Sequence, residues 1–476
     1  MKVIRNYIYN ASYQLLIIIV PLITSAYISR VLGPKGVGIN SFTNSIIQYF
    51  ILIADVGIAY YGNREVAYIR DDKDKLSQTF WEIQILKCLM VLFSTCLFLI
   101  FMFFYPKNKI YMFAQIFNLL AAAFDISWFY QGIEDFKRTV IKNIFIKILS
   151  LLLIFAVVRN SSDLTKYIII LGLSSLIGNL TLWPHMRKIL TNRLKFKINI
   201  LKHLYPTFAL FLPQIATTIY LQINRTMLGV FSGETSSGYY QYSDNLIHMV
   251  IGIITATGTV MLPHVANAYS SGNMKKVNNL LYTSFNFVTA ISMPMMFGLA
   301  SIAKLLVPIY YGPGYFPVIN AMMIESIIIV MIGWSNAIGT QYLLPINKVK
   351  EFNISVFLGA IINIVLNIPL INLWGLNGAI LSTVISETSV TFYQIIVVKK
   401  LLNYKKLFSG TIKYTVSGII IFIWGVFLNN ELKLNAIFVL IIDIVSATII
   451  YIILLIVLRT PIIKLAFNII KNKERS

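Results

Sequence analysis

The chain has 476 residues, 57% of them hydrophobic and 12% charged, with a mean hydropathy of +0.75, which excludes a water-soluble globular domain and makes lipid the solvent. At about 20 apolar residues per crossing, that composition supplies about thirteen or fourteen spans and leaves little for a soluble domain. A net charge of +22 would suggest nucleic acid in a soluble protein, but the basic residues alternate here with apolar blocks; that is the pattern of membrane topology, and no nucleic-acid partner is expected.

Hydropathy and turn signals predict an all-α polytopic protein with helices at 10–31, 38–61, 79–104, 110–132, 139–158, 166–186, 205–231, 238–268, 278–303, 317–339, 352–372, 376–398, 409–428 and 435–458. The first apolar block follows Lys2 and Arg5, yet it is too long for a signal-peptide core and no small-x-small cleavage site follows, so it reads as the first helix. Between the second and third helices, residues 64–78 alternate acid and base and read as a solvated cytoplasmic segment. Cys88 and Cys96 share one apolar run and offer neither a disulfide framework nor a metal site. The 27 tyrosines and 31 phenylalanines read mainly as lipid-facing and interfacial belts, with a minority available to stack on sugars.

With the N-terminus inside, the cytoplasmic segments carry 29 of the 40 basic residues, among them Arg64, Lys137, Arg138, Lys142, Arg187, Arg193, Lys195, Lys197, Lys275, Lys348, Lys399, Lys471, Lys473 and Arg475. The outer segments carry 8, including Arg30, Lys107 and Lys304. This asymmetry satisfies the positive-inside rule through to the C-terminus, which favours an even count, fourteen, with both termini cytoplasmic. The longest outer loop runs only from Lys304 to Phe316, too short to build the site of a polysaccharide polymerase or lipid-linked glycosyltransferase.

The sequence also echoes itself. Pro21-Leu-Ile-Thr leads to Arg30-Val-Leu-Gly33 and Gly38-Ile-Asn-Ser-Phe, while Pro213-Gln-Ile-Ala-Thr leads to Arg225-Thr-Met-Leu-Gly229 and Gly238-Tyr-Tyr-Gln-Tyr. The repeat points to two six-helix halves in parallel orientation.

Tyr27-Ile-Ser-Arg-Val-Leu-Gly-Pro-Lys-Gly-Val-Gly38, Gly62-Asn-Arg-Glu-Val-Ala67, Trp128-Phe-Tyr-Gln-Gly-Ile-Glu-Asp-Phe136, Phe211-Leu-Pro213 and Met227-Leu-Gly229 with Gly238-Tyr-Tyr-Gln-Tyr242 resemble motifs of bacterial polysaccharide repeat-unit (oligosaccharide) flippases. These belong to the multidrug, oligosaccharidyl-lipid and polysaccharide exporter superfamily. The resemblance implies two six-helix lobes around a central cavity that opens alternately inward and outward, plus two extra C-terminal helices expected to form a groove for a long lipid tail. Accordingly 1–203 is expected to form the N-lobe, 204–402 the C-lobe and 403–476 the last two helices with a cytoplasmic tail. It implies undecaprenyl-diphosphate-linked oligosaccharide as substrate, with membrane lipid, a polysaccharide polymerase and chain-length machinery as partners. One departure stands out: Asn224 occupies a position often acidic in relatives, which puts a coupling role at that point in doubt.

No Gly-x-x-x-x-Gly-Lys-Ser/Thr loop is present, so transport is expected to be secondary or downhill. The four histidines, His185, His203, His248 and His264, have no ligand spacing, so neither metal nor cofactor nor catalytic residue is expected. Ionisable groups inside helices cost roughly 2.5–3.5 kcal/mol each and need partners or a wet cavity. Arg225, with Gln222 and Asn224 beside it, either forks a diphosphate or pairs with Asp244. Arg30 is its counterpart in the first half, near the outer interface, and Lys147 either reaches the inner interface or lines the inward cavity. Asp55, Asp125, Glu325 and Glu387 are candidates for a coupling proton or sodium ion, because a desolvated carboxylate can exchange a proton near neutral pH. The leading expectation is a non-enzymatic flippase of the bacterial plasma membrane serving capsule, exopolysaccharide or O-antigen assembly. The alternatives are a cation-coupled multidrug exporter, a peptidoglycan-precursor flippase, and a membrane enzyme.

Overall fold

Inside a bilayer every backbone N–H and C=O must be satisfied within the chain, and apolar runs of this length do so as helices. The computed structural model describes residues 2–191 and 198–465, which are helical throughout apart from short connections. Arg193, Lys195, Lys197, Lys471, Lys473 and Arg475 lie outside the described residues. The helices are α1 (2–32), α2 (34–69), α3 (Lys73–Phe104), α4 (Lys109–Gly132), α5 (Phe136–Val157), α6 (Ser161–Ile189) and α7 (Leu201–Phe231). They continue as α8 (Glu234–Ser270), α9 (Met274–Tyr311), α10 (Pro317–Leu343), α11 (349–374), α12 (376–398), α13 (Tyr404–Glu431) and α14 (Ala436–Val457).

Among the described residues, 11 helical segments are long and apolar enough to span a membrane. Two of these are pairs broken at a single glycine, and α7 completes the fourteen helices expected. The loops expected at 32–37 and 373–375 collapse to those glycines. Gly33 sits at φ 66° and Gly375 at φ 53°, and such left-handed backbone lets the chain change course without a longer connection. A second interruption falls within α2, at Val56 (φ 42°) and Gly57 (φ 84°), directly after Asp55. The segment 64–78 is the solvated stretch expected. Asp72 there accepts the backbone N–H groups of Asp74 and Lys75 as the cap of α3, and those hydrogen bonds hold its carboxyl below the usual carboxylate range.

The chain divides into two units, Met1–Gly238 and Tyr239–Ser476. In the first, α7 packs on α2 and α3, and an aromatic core of Phe80, Trp128, Phe129 and Tyr130 joins α3 to α4. The motif glycines are explained by close approach. A Cβ on Gly62 would lie 2.5 Å from Trp128, and one on Gly132 would lie 2.6 Å from Val66. The internal echo also has a physical meaning in this unit, because its two glycines meet. A Cβ on Gly38 would stand 2.3 Å from the Glu234 carbonyl oxygen, and one on Gly238 would stand 2.7 Å from the Gly38 nitrogen. Ser41 and Ser237 share a hydroxyl contact of 2.9 Å beside this crossing.

In the second unit α9 carries α13 and α14, with Ala290, Met293, Val330, Tyr414, Ile421, Tyr451 and Leu455 as their shared core. Phe103 in the first unit and Ile412 and Phe438 in the second are among many large apolar side chains left exposed, the surface that lipid covers.

Candidate functional site

The break at Val56–Gly57 interrupts α2 directly after Asp55 and leaves Asp55 at the wall of a cavity of about 490 Å³ within the first unit. Its polar lining is Gln48, Asp55, Tyr60, Lys87, Asp125, Gln214 and Thr218, from α2, α3, α4 and α7. A matching break in α4 at Asp125 exposes a main-chain carbonyl and lets the Asp125 carboxylate accept from the Ser127 N–H at 2.9 Å and the Ser127 hydroxyl at 2.5 Å.

Two buried ammonium groups meet these carboxylates. Lys87 is 3% exposed, and its Nζ lies 3.4 Å from Asp55 Oδ1 and donates to the Asp125 carbonyl oxygen at 2.9 Å. Lys142 Nζ lies 3.4 Å from Asp125 Oδ1 and donates to Ser127 Oγ at 2.7 Å. The two wall carboxylates are therefore balanced by two ammoniums, Lys87 in the lining and Lys142 outside it, but at separations longer than the 2.7–2.9 Å of a tight charge-assisted bond. Loose pairs of this kind can be exchanged for a better ligand. An anionic group that entered the cavity would compete with the carboxylates for Lys87. Gln214 contributes a buried amide oxygen that accepts no hydrogen bond.

A second polar group pins α7 in place below this wall. Glu82 on α3 is fully buried and accepts from Gln78 Nε2, the Asn199 N–H, His203 Nε2 at 2.9 Å and Lys202 Nζ at 2.5 Å. The other ring nitrogen of His203 lies 2.7 Å from the Tyr61 hydroxyl on α2. Further along α7, Thr226 donates to Ser45 and contacts the Tyr49 hydroxyl at 3.1 Å, so the helix is tied to α2 at both ends.

Of the residues singled out by sequence, the structure brings Asp55 and Asp125 to one cavity wall. Gln222, Asn224 and Arg225 lie on α7 beyond the portion that lines the cavity, with Asn224 buried and Arg225 half-buried. Arg30 is exposed and donates to the Ala26 carbonyl at 2.6 Å, while Lys147 is half-buried on α5, away from the lining. Glu325 and Glu387 belong to the second unit. There Glu325 is fully buried and accepts the Ser243 hydroxyl, and Asp244 pairs with His248 at 3.3 Å. Lys142, counted by sequence with the cytoplasmic segments, is buried near the start of α5 and pairs with Asp125. Lys87 falls inside the helix predicted at 79–104 and carries no motif; the signal for its role is charge balance, since two acidic residues inside helices require cations nearby.

The sequence profile described as "Polysaccharide biosynthesis protein" matches residues 3–269. The chain belongs to this family. A second profile, "Lipid II flippase MurJ", matches residues 139–445, so the relationship reaches across both units. Among curated proteins, the "Putative O-antigen transporter" of Escherichia coli (strain K12) is 25% identical over 414 residues, covering 83% of this chain and 96% of that protein. The family member also shares its fold with "Lipid II flippase MurJ, inward closed conformation", at a TM-score of 0.75 and 17% identity over 94% of this chain and 98% of that one. An inward-facing multidrug resistance MATE family transporter of the MOP superfamily superposes at a TM-score of 0.63 and 11% identity, covering 80% of this chain and 94% of that one.

Proposed function

We propose that this family member is a flippase that carries an undecaprenyl-diphosphate-linked oligosaccharide from the inner to the outer leaflet of the bacterial plasma membrane for surface polysaccharide assembly. The observation that carries the proposal is the cavity wall of the first unit in a chain whose full-length curated relatives are named as O-antigen transporters. Buried Lys87 is the ammonium best placed to receive a diphosphate oxygen, with Gln48, Tyr60, Gln214 and Thr218 as neutral groups for phosphate or sugar hydroxyls. Arg225, Asn224, Gln222, Arg30 and Lys147 are proposed as further contacts along the path. Asp55 and Asp125 are the candidates for a coupling proton or sodium ion in the first unit; Glu325 and Glu387 are the corresponding candidates in the second unit.

The head group crosses by alternating access of two lobes, 1–203 and 204–402, while 403–476 accommodates the lipid tail; the termini face the cytoplasm, and a polymerase with its chain-length machinery receives the product outside. No step makes or breaks a covalent bond, so the protein acts as a carrier rather than an enzyme. Deletion of the gene tests this directly: surface glycan disappears and lipid-linked repeat units accumulate on the inner leaflet. Normal glycan together with heightened sensitivity to cationic drugs would assign the chain to multidrug export instead.

A further inference from the structure

The second unit holds a carboxyl that the proposed transport does not use. Asp443, two turns into α14, is fully buried, and neither side-chain oxygen has a hydrogen-bond partner among the described residues. It lies at the wall of a groove of about 540 Å³ between α9, α13 and α14. Asp443 is the one charged residue type in that lining, beside Ser301, Thr448 and Tyr451 among apolar side chains.

The nearby donors are all committed elsewhere. Ser301 donates to the Gly298 carbonyl at 2.8 Å, Thr448 to the Ile444 carbonyl at 2.7 Å, and Tyr451 to the Ala290 carbonyl at 2.8 Å. Ser446 donates to the main-chain oxygen of Asp443 itself and receives the Trp424 indole N–H. No cation on the packed helices answers the charge. On α9, Lys275, Lys276 and Lys304 are exposed; on α13, Glu431 is exposed, Lys413 donates to the carbonyls of Leu458 and Arg459, and the Tyr414 hydroxyl donates to Asn286. Arg459 and Lys464 lie beyond the end of α14.

Space has nonetheless been kept for this carboxyl. Gly425 on α13 faces it, and a methyl group there would stand 2.9 Å from Asp443 Oδ2 and 2.6 Å from Ser301 Oγ. An ionised carboxylate with no cation and no donor is prohibitively costly at membrane depth, whereas the neutral acid is tolerated. The groove beside the buried acid is roomy enough for water, which needs polar partners to enter, and the hydroxyls of Ser301 and Thr448 line it.

We infer that Asp443 is a hydrogen-ion binding site: it carries a proton in the groove of α9, α13 and α14 and exchanges that proton through the groove. The site is separate from the charged wall of the first unit, and its test does not depend on what the protein transports.

The probe is dicyclohexylcarbodiimide, applied to the full-length protein in nanodiscs across buffers from mildly acidic to mildly alkaline. It adds only to the protonated acid: the carboxyl oxygen bonds to the central carbon of the reagent, the proton moves to nitrogen, and the acyl group then migrates to give a stable N-acylurea. Peptide mapping by mass spectrometry should find the adduct on Asp443, with a yield that falls about tenfold per pH unit once the site ionises. Gly425→Ala should depress that labelling by crowding the acid, and Asp443→Asn should abolish it while keeping the shape of the side chain. Absence of the adduct, or a yield that does not change with pH, would overturn the inference. Should either variant fold poorly, the wild-type map and its pH profile decide the matter alone.

Discussion

The two units solve the problem of a carboxyl in the membrane in opposite ways. Asp55 and Asp125 are paired with Lys87 and Lys142 beside a cavity with polar lining, whereas Asp443 stands in an apolar groove with no cation beside it among the described residues. The difference lies in the backbone. The first unit breaks its helices at Val56–Gly57 and at Asp125, freeing carbonyls and donors to serve charges, while α14 runs unbroken past Asp443 and offers none. Charge in a bilayer is thus affordable where the helix is interrupted, and protonation takes over where it is not.

Removing one partner of a balanced pair is the sharpest way to break this contrast. Lys87→Met should strand the Asp55 carboxylate at a cost of about 3–5 kcal/mol and greatly lower protein abundance. Adding Asp55→Asn should restore abundance, measured by membrane immunoblot, but leave glycan export defective. Full export in the double variant would show that Lys87 serves folding alone. Gly38→Ala should come next, costing about 1–3 kcal/mol because its new methyl meets backbone rather than a yielding side chain. Thermal melting in detergent would register it, and a melt equal to wild type would show that the crossing at Gly38 and Gly238 tolerates spreading.

Tyr61→Phe removes one hydrogen bond to His203 and should cost about 0.5–1.5 kcal/mol in the same measurement. The smallest effect is expected from Asp443→Asn, which replaces a neutral acid by a neutral amide of the same shape and should shift the melt by less than about 0.5 kcal/mol. A loss as large as that of Lys87→Met would mean that Asp443 is ionised and paired, erasing the contrast between the units.

The helices were legible because a bilayer imposes one periodic demand on every span, and boundaries such as 376–398 emerge from hydropathy alone. The short breaks at Gly33 and Gly375 were hidden because hydropathy averages over a window far longer than one residue. The acidic half of the candidate site, Asp55 and Asp125, stood out as charge within apolar runs. Its basic half was obscured because partners are invisible in one dimension: Lys142 lies near a helix start, where burial beside Asp125 leaves no sequence mark, and Lys87 needed the three-dimensional meeting of α2, α3 and α4 to acquire partners. Gln214 and Thr218 carry no sequence signal at all, since an amide or hydroxyl on a membrane helix is as often a packing contact as a lining group.

The knot of Tyr61, Glu82, Lys202 and His203 bears on how much the covalent chain matters here. It clasps the first turn of α7 to α2 and α3 immediately after the connection from α6, and Ser45, Tyr49 and Thr226 clasp the far end of the same helix. A helix held at both ends by side chains does not need the peptide that delivers it. The gene should accordingly tolerate being cut in two between the codons for Thr191 and Ile198, with the separately translated fragments finding each other in the membrane.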